Sequence, residues 1–514
     1  MALQHLWEAG MGPSILDQPL AILVITILML TLITTSGSRH TKFPELDPKR
    51  FLEFTNRNRT ANFIRRSKEL LVRGKAQFHD QPYRVYSDWG EIVVLPSRFI
   101  EELRSHPHLN FDIPAQDDSH AYIPGFDPFV ANDRLPQLVT KYLTRALTKL
   151  TAPISQEATQ VLKTVLTDSS EWHEIDPKID LVLIVSRMST RVFMGEELCK
   201  NDKWVQVSSD YTLEAFRLSN VIRSWPRSFR PIIHWALPSC WRLRRKLDET
   251  RRVLQPYIER RARVKAEALA RGEPSPFDDS IEWFEKEYKT AYDPATAQIT
   301  LSLVAIHTTS DLLQQVMLDV AQHPDLMADL RREIIQVLGA EGLKKTSLYN
   351  LKLMDSVIKE SQRLKPILLA PIRRLVMKDI ELSDGTIIRK NQKVVAGATH
   401  MWDSSYYENG ATYDGYRFLR MRETPDEGKH AHLVSTSANH IGFGHGQHAC
   451  PGRFFAANEI KIALCHILLK YDWKLPEGFV PKPIAFGMAA LPDPTAKILI
   501  KRRKEEIDMD TLES

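Results

Sequence analysis

The sequence predicts a mainly α-helical protein with small β-sheets, an α+β chain whose helices form a single large domain behind an N-terminal membrane anchor. Three observations lead to this prediction. Apolar residues recur at helical spacing over long stretches, most clearly in residues 294–322 and 453–473. Residues 83–95 alternate as a β-hairpin does. Residues 20–35 form an apolar run without a charge.

Charge and cysteine content narrow the classes of function. The 514 residues carry a formal net charge of +5, which is too weakly basic to indicate nucleic-acid binding. It is compatible with a basic docking face or an anionic membrane surface. The four cysteines, Cys199, Cys240, Cys450 and Cys465, show no paired spacing, so we expect neither a disulfide framework nor a zinc site. They indicate a reducing compartment.

The apolar run near the N-terminus predicts a signal anchor instead of a cleaved signal peptide. It is close to the ~20 residues that span a bilayer, and no small-residue cleavage site follows it. Basic residues follow the run, which by the positive-inside rule keeps the remaining chain in the cytoplasm. We expect a short lumenal N-terminus (1–18), a transmembrane anchor (19–36) and a main domain (37–514).

A hairpin and a series of helices come next. Residues 88–90 mark the hairpin turn. Helical patterns follow in residues 97–105, 135–150, 153–166 and 179–193. Residues 211–241 mix aromatic residues, serines and prolines. This composition fits either a lid that dips towards the membrane or a packed helix pair with a proline-rich turn.

The longest helical pattern begins at Asp293, an N-cap residue followed by proline at the first helical position. Its middle contains His307, Thr308 and Thr309. A threonine inside a helix can donate back to the carbonyl four residues earlier and bend the helix, which makes room for a small ligand and a proton path. The alternative is that these are ordinary polar residues of a half-buried helix.

One stretch precedes the last long helix, Phe443-Gly-His-Gly-Gln-His-Ala-Cys450-Pro-Gly452. Backbone N–H groups and the helix dipole at this helix start favour a thiolate at Cys450. Glycines such as Gly446 let the backbone approach something flat and bulky. A lone thiolate in such a loop suits an axial haem ligand. A buried structural cysteine is the simpler alternative, but it leaves Phe443, Gly446 and Gly452 at these offsets unexplained.

With this F-x-x-G-x-x-x-C-x-G spacing the chain resembles the cytochrome P450 family. The resemblance implies the cytochrome P450 fold, with haem b as cofactor and Cys450 as the axial ligand of its iron. Arg374 and Lys141 would bind the haem propionates, and His448 stands where arginine is commoner. The cofactor-binding residues that the resemblance implies are Phe443, Gly446, His448, Cys450, Gly452, Arg374 and Lys141.

On the long helix, the resemblance assigns proton delivery to Thr308, with Thr309 one residue away. Two positions depart from the family pattern, because Ala305 stands where glycine is usual and His307 where an acid is usual. His307 is titratable near neutral pH. We therefore treat His307, Thr308 and Thr309 as the catalytic candidates.

A shorter helical pattern places Glu360 and Arg363 at i and i+3 on one face. On a surface such a pair contributes little to stability. The pair resembles the E-x-x-R motif of the family, in which the two charges are buried and meet a later arginine. Arg417 matches that arginine, and the three residues would form a brace on the proximal side of the haem.

These resemblances predict a haem-thiolate monooxygenase that oxidises a hydrophobic terpenoid or meroterpenoid intermediate in filamentous-fungal secondary metabolism. Electrons would come from NADPH through a membrane-bound cytochrome P450 reductase, with cytochrome b5 as a further donor, at the endoplasmic reticulum membrane. Substrate walls are expected in residues 111–129, 211–225, 367–371 and 486–491 and at Ala305 and Thr308. Two alternatives stay open, a reductase-independent haem-thiolate isomerase or dehydratase and a non-catalytic haem-binding sensor.

Overall fold

Helices supply most of the described residues, as the sequence predicts. A computed structural model describes residues 43–513 apart from residues 52, 54, 133, 224, 226–228, 289 and 290. The predicted lumenal segment and anchor (1–36) lie outside the described residues. Within the described part of the chain, no helix is both long and apolar enough to cross a membrane.

The α-helices follow one another through most of the chain. In order they are α1 (Arg57–Phe78), α2 (Ile100–Leu103), α3 (Asp112–Asp118), α4 (Arg134–Leu138), α5 (Thr144–Val165), α6 (Pro177–Cys199), α7 (Asp202–Arg223), α8 (Arg230–Ile233), α9 (Pro238–Ala270), α10 (Ser280–Glu287), α11 (Pro294–Ala321), α12 (Pro324–Glu341), α13 (Lys345–Asn350), α14 (Lys352–Leu364), α15 (Arg417–Met421) and α16 (Arg453–Lys470).

Several helices begin where a capping residue predicts. Asp176 and Asp293 each precede a proline, and their side chains accept the backbone N–H two residues later at 3.1 and 3.0 Å. One predicted boundary is wrong, because α5 continues through Pro153. Its buried apolar face, which includes Leu147 and Val161, keeps the helix together where proline removes one backbone hydrogen bond.

The strands form one large sheet and three small ones. They are β1 (Glu45–Leu46), β2 (Tyr83–Ser87), β3 (Gly90–Leu95), β4 (Leu109–Asn110), β5 (His173–Ile175), β6 (Ile372–Val376), β7 (Ile380–Glu381), β8 (Ile387–Ile388), β9 (Lys393–Ala396), β10 (Tyr471–Lys474), β11 (Ile484–Phe486), β12 (Ala489–Leu491) and β13 (Ile498–Arg502). The predicted hairpin is β2–β3, within the six-stranded sheet β1-β2-β3-β9-β6-β4. The others are β10-β13-β5, β11-β12 and β7-β8.

Helix α11 lies in the helical core and connects the sequence motifs. It packs against α6 and α9, against α14 with the Glu360–Arg363 pair, and against α16, which follows the cysteine loop. Helices α7 and α9 contact each other, so residues 211–223 and 238–241 belong to a packed helix pair. A second apolar cluster lies between α1, the large sheet and the β11–β12 hairpin. The three motifs thus converge on one helical core.

Helix α16 carries a buried carboxyl group in this core. Glu459 is fully buried, and its Oε1 accepts a hydrogen bond from Ser189 Oγ of α6 at 2.7 Å. Burial raises the pKa of Glu459 to about 8, and the Ser189 hydroxyl opposes this shift only in part. The group is therefore a neutral carboxylic acid in the folded protein at pH 7.

We predict that Glu459→Gln makes stability less sensitive to pH. Between the ordinary pKa of a glutamate and about 8, the folded protein keeps the proton that the unfolded chain loses, so wild-type stability falls as pH rises. Glutamine keeps an acceptor for Ser189 without titrating. Urea unfolding of the haem-loaded protein gives the difference in unfolding free energy between the variant and wild type. This difference should favour the variant more at about pH 8 than at about pH 5, by on the order of a few kcal/mol. If variant and wild type differ in unfolding free energy by the same amount at both pH values, Glu459 does not carry the proton that we assign to it.

Candidate active site

The cysteine loop is a tight turn at the start of α16. The Cys450 N–H donates to the Phe443 carbonyl at 2.8 Å, which closes the loop. The Phe443 ring packs against the large apolar core. The Cys450 side chain is partly exposed, whereas the other three cysteines are buried. Cys450 is therefore the cysteine that the core leaves accessible to a ligand.

Opposing effects act on this thiol. Burial raises the pKa of Cys450, whereas the backbone N–H groups of Gly452 and Arg453 and the charge of Arg453 lower it without reversing the shift. The groups at the helix start thus act in the predicted direction but do not by themselves hold a thiolate. Coordination to a metal cation deprotonates a thiol outright. Cys450 is therefore better suited to ligate a metal than to act as a free nucleophile.

Gly446 lets the loop pass close to the segment before β4. Its φ is 78°, and a Cβ atom there would lie 2.6 Å from Arg104 Cβ and 2.9 Å from Ser105 Oγ. The close approach at Gly446 is to protein atoms, and the approach of this loop to a flat ligand stays a prediction. At Gly452 an added Cβ would meet Cys450 Sγ at 3.9 Å, an ordinary contact distance.

A buried cation, Arg374 of β6, lies near the same loop. It is 1% exposed, and its guanidinium donates to the carbonyls of Arg373 and Arg104 at 2.9 and 3.2 Å. Within the described residues no carboxylate forms an ion pair with it. Burial lowers the pKa of Arg374 to about 10, and nearby Asp112 opposes the shift. Because a buried cation without a counter-charge is costly, this position suits the carboxylate of a ligand.

His448 of the cysteine loop joins this cation through Phe111. The Phe111 ring stacks on the His448 imidazole with centroids 4.9 Å apart, and the Arg374 guanidinium lies 5.4 Å from the Phe111 centroid. Burial lowers the pKa of His448, and the charge of Arg374 lowers it further. A neutral imidazole can donate one hydrogen bond to a carboxylate without repelling Arg374. The residues around Cys450 therefore fit haem and its propionates.

Lys141 has a different neighbour. It lies in the π-helical turn Val139–Leu143, its side chain is 51% exposed, and its ammonium pairs with Glu287 of α10. The Tyr142 hydroxyl also donates to Glu287, at 2.7 Å. Lys141 therefore pairs at the protein surface with the carboxylate of Glu287. The two residues are far apart in the chain, so sequence spacing could not reveal this pair.

Helix α11 has an accessible stripe within the core, formed by Val304, His307, Thr308 and Asp311. Val304 is 49% exposed and the other three are partly exposed. Their spacing of three and four residues places them on one helix face. Thr309 is only 3% exposed. Of the two candidate threonines, the structure therefore places Thr308 on the accessible side.

The hydroxyl and the imidazole on this stripe have defined surroundings. Thr308 Oγ1 donates to the Val304 carbonyl at 2.8 Å, as expected for a threonine inside a helix. The His307 ring meets the Phe216 ring of α7 edge-on, with centroids 6.0 Å apart. Burial lowers the pKa of His307, so its imidazole is neutral at pH 7. The stripe thus holds a hydroxyl with free lone pairs beside a neutral imidazole.

The predicted substrate walls come together in two groups. Phe216 contacts Phe129 edge-on at 6.1 Å between centroids, which joins α7 to the loop that ends at residue 129. On the other side, residues 367–371 run beside the β11–β12 hairpin. The Leu369 N–H donates to the Met488 carbonyl at 2.8 Å, and the Ala490 N–H donates to the Ile367 carbonyl at 3.0 Å. Each group combines segments that are distant in the sequence.

Glu360, Arg363 and Arg417 form a buried charge triad. Glu360 and Arg363 are 0% exposed and pair through two hydrogen bonds of 2.7 and 2.8 Å. Arg417 Nε lies 3.2 Å from both carboxylate oxygens. The rest of the Arg363 guanidinium donates to loop carbonyls, including Gly410 O at 2.5 Å. The predicted three-residue contact is present, on helices α14 and α15.

Sequence reasoning missed a buried pair at the end of the stripe. Asp311 accepts from the ammonium of Lys365, which follows α14, and both side chains are largely buried. Burial raises the pKa of Asp311 while the charge of Lys365 lowers it. The spacing of Asp311, three and four residues after Thr308 and His307, was the available signal for its place on this face.

Comparison with known proteins identifies the family of the chain. The family model described as Cytochrome P450 matches residues 77–500. Cytochrome P450 monooxygenase eqxH of Fusarium heterosporum is 54% identical over 508 residues, covering 98% of this chain and 99% of that protein. Cytochrome P450 monooxygenase hepE of Aspergillus oryzae is 41% identical over 490 residues, with 94% and 89% covered. Cytochrome P450 monooxygenase TRI1 of Fusarium sporotrichioides is 37% identical over 467 residues, with 90% and 85% covered. The chain therefore belongs to the cytochrome P450 family and is a monooxygenase with haem b as its cofactor.

Proposed function

We propose that the protein oxidises a hydrophobic terpenoid or meroterpenoid intermediate of fungal secondary metabolism, by one hydroxylation or by successive oxidations. The observation that carries this proposal is the accessible stripe of α11, where Val304 exposes apolar surface beside one hydroxyl and one imidazole. A mostly apolar wall with few polar groups suits a hydrophobic ligand. The fungal relatives support the reaction class through their monooxygenase names.

The residues that would hold the cofactor are Cys450 as axial ligand and Arg374 with His448 at the propionates. Bound haem supplies oxygen activation, and a thiolate ligand favours O–O cleavage by pushing electron density onto the iron. The chain contributes the buried cation for the ligand carboxylates and the loop that holds the thiolate. The hydrogen bond from Cys450 N–H to Phe443 O fixes the backbone of that loop.

Proton delivery falls to Thr308 in this proposal. Its hydroxyl hydrogen is engaged by the Val304 carbonyl, so the oxygen lone pairs can accept a hydrogen bond from water on the accessible stripe. Such a water can pass a proton on. His307 is neutral at physiological pH because burial lowers its pKa, so it can orient the water as donor or acceptor.

The redox partner and the location complete the proposal. Electrons come from NADPH through a membrane-bound cytochrome P450 reductase, with cytochrome b5 as a further donor. The sequence shows no G-x-G-x-x-G dinucleotide motif after a strand, which supports an external reductase. The uncharged run within residues 19–36 and the basic residues after it support a single-pass anchor in the endoplasmic reticulum with a cytoplasmic catalytic domain.

Isotopically labelled O2 tests the reaction. The purified holoenzyme with reductase, NADPH and a panel of terpenoids should incorporate one labelled oxygen atom for each hydroxylation, detected by mass spectrometry. The control omits NADPH. A product that forms equally well without NADPH and without label would indicate the isomerase or dehydratase instead. No product and no substrate-induced spin-state change across the panel would contradict a terpenoid substrate.

We predict that Thr308→Ala uncouples electron transfer from substrate oxidation. Loss of the hydroxyl removes the water-binding oxygen on the stripe, so peroxide formed per NADPH should rise towards one and oxidised product formed per NADPH should fall. Haem content should stay at the wild-type level. Thr309→Ala is the matched control, because Thr309 is buried. A larger effect from Thr309→Ala would overturn the assignment of Thr308.

We predict that Cys450→Ala abolishes the red-shifted ferrous–CO band of thiolate-ligated haem, because no other described cysteine is exposed to replace it. The measurement is a reduced, CO-bound difference spectrum of the purified variant. Cys465→Ala, at a buried cysteine on the helix that follows the loop, serves as the control and should keep the band. Persistence of the band in Cys450→Ala would remove this residue from the ligand role.

A further inference from the structure

We propose that Lys359, together with Asp355 and Arg453, positions the cysteine ligand by holding residues 432–435, which we call the 432–435 segment. This role is separate from the Glu360–Arg363–Arg417 triad, because it uses other side chains and another part of the chain. It concerns the thiolate itself and rests on the family assignment, independently of the substrate. Lys359 is a positioning residue here, since its ammonium acts through the backbone of this segment.

The 432–435 segment has no regular secondary structure, so its backbone groups lack partners in a helix or a strand. Charged side chains take their place. Lys359 Nζ donates to the His432 and Ser435 carbonyls at 2.7 and 2.9 Å. Asp355 accepts the Leu433 N–H at 2.8 Å. Buried backbone groups need such partners, so these bonds hold the segment in one conformation.

Lys359 and Asp355 both lie on α14. They are four residues apart and therefore lie on one helix face. Lys359 is 0% exposed, and its ammonium also lies 5.2 Å from the centroid of the Phe418 ring. Asp355 is held in turn by Arg422 and by Lys461, whose Nζ lies 2.6 Å from Oδ1. A fully buried ammonium is costly unless it is satisfied, and the segment's carbonyls satisfy it.

Arg453 links the segment to the ligand residue. Its Nε donates to the Val434 carbonyl at 3.1 Å, and its Nη1 donates to the Cys450 carbonyl at 2.8 Å. One planar guanidinium thus bonds both pieces of backbone. Because the guanidinium is rigid, a shift of the segment moves the carbonyl of Cys450 with it. Hydrogen bonds therefore connect Lys359 to Cys450 through one segment and one side chain.

The test uses the ferrous–CO spectrum of the haem-loaded protein. Lys359→Met keeps the length of the side chain and removes charge and donors, whereas Lys359→Gln keeps two N–H donors. The matched control is Lys470→Met, since Lys470 is also buried but bonds to Thr159 and Asp510 instead. The readouts are the fraction of CO-bound haem with the thiolate band and the free energy of unfolding.

We expect Lys359→Met to lose the thiolate band severalfold relative to wild type, with partial recovery in Lys359→Gln and no loss in Lys470→Met. If Lys359→Met keeps the wild-type fraction of haem with the thiolate band, the proposal is wrong. It is also wrong if Lys470→Met loses the band to the same extent when the two variants are destabilised by similar amounts. If Lys359→Met does not load haem, Lys359→Gln and Lys470→Met decide. A lower thiolate fraction in Lys359→Gln supports the proposal, and equal fractions contradict it. No substrate enters this test, so its outcome is independent of the proposed reaction.

Discussion

The buried pairing of Glu360 with Arg363 and Arg417 is the interaction on which the chain between β9 and α15 depends. The carboxylate also accepts the backbone N–H of Asp414, and Arg363 donates to the carbonyls of Met401, Gly410 and Thr412. The long irregular chain after β9 is thus wrapped around one ion pair. Removing a partner from such a pair costs about 3–5 kcal/mol, because a buried charge is left without compensation. That is a large part of the roughly 5–15 kcal/mol that stabilises a domain.

Helix α14 extends this organisation to the cysteine. One side of the helix presents Glu360 and Arg363 to the irregular chain after β9, and another presents Asp355 and Lys359 to the 432–435 segment. The 432–435 segment has no regular secondary structure and the chain between β9 and α15 has only one short 3-10 helix, so both need side-chain partners for buried backbone groups. A single helix therefore orders the chain that leads into the ligand loop. Arg374 and His448 lie against the same ring, that of Phe111, beside the ligand loop.

The accessible stripe of α11 is organised differently. Helix α11 is regular throughout, and its accessible stripe lies among buried neighbours on either side. His307 meets α7 through an aromatic contact with Phe216, while Asp311 is paired with Lys365. The few polar side chains of the stripe each contact a named neighbour, whereas the apolar side chain of Val304 is exposed. An apolar surface with few polar groups suits the hydrophobic substrate that we propose.

The sequence by itself determined the helical class, the Asp293-Pro294 start of α11, the β2–β3 hairpin and the family, because caps, periodicity and motif spacing act over a few residues. It also identified Glu360, Arg363 and Arg417 as partners, through the resemblance. Only the tertiary structure decided that Thr308 and not Thr309 is accessible, that Lys141 meets Glu287, and that Lys359 holds the 432–435 segment. The physical reason is that burial and pairing depend on which elements pack together, and those elements are far apart in the chain.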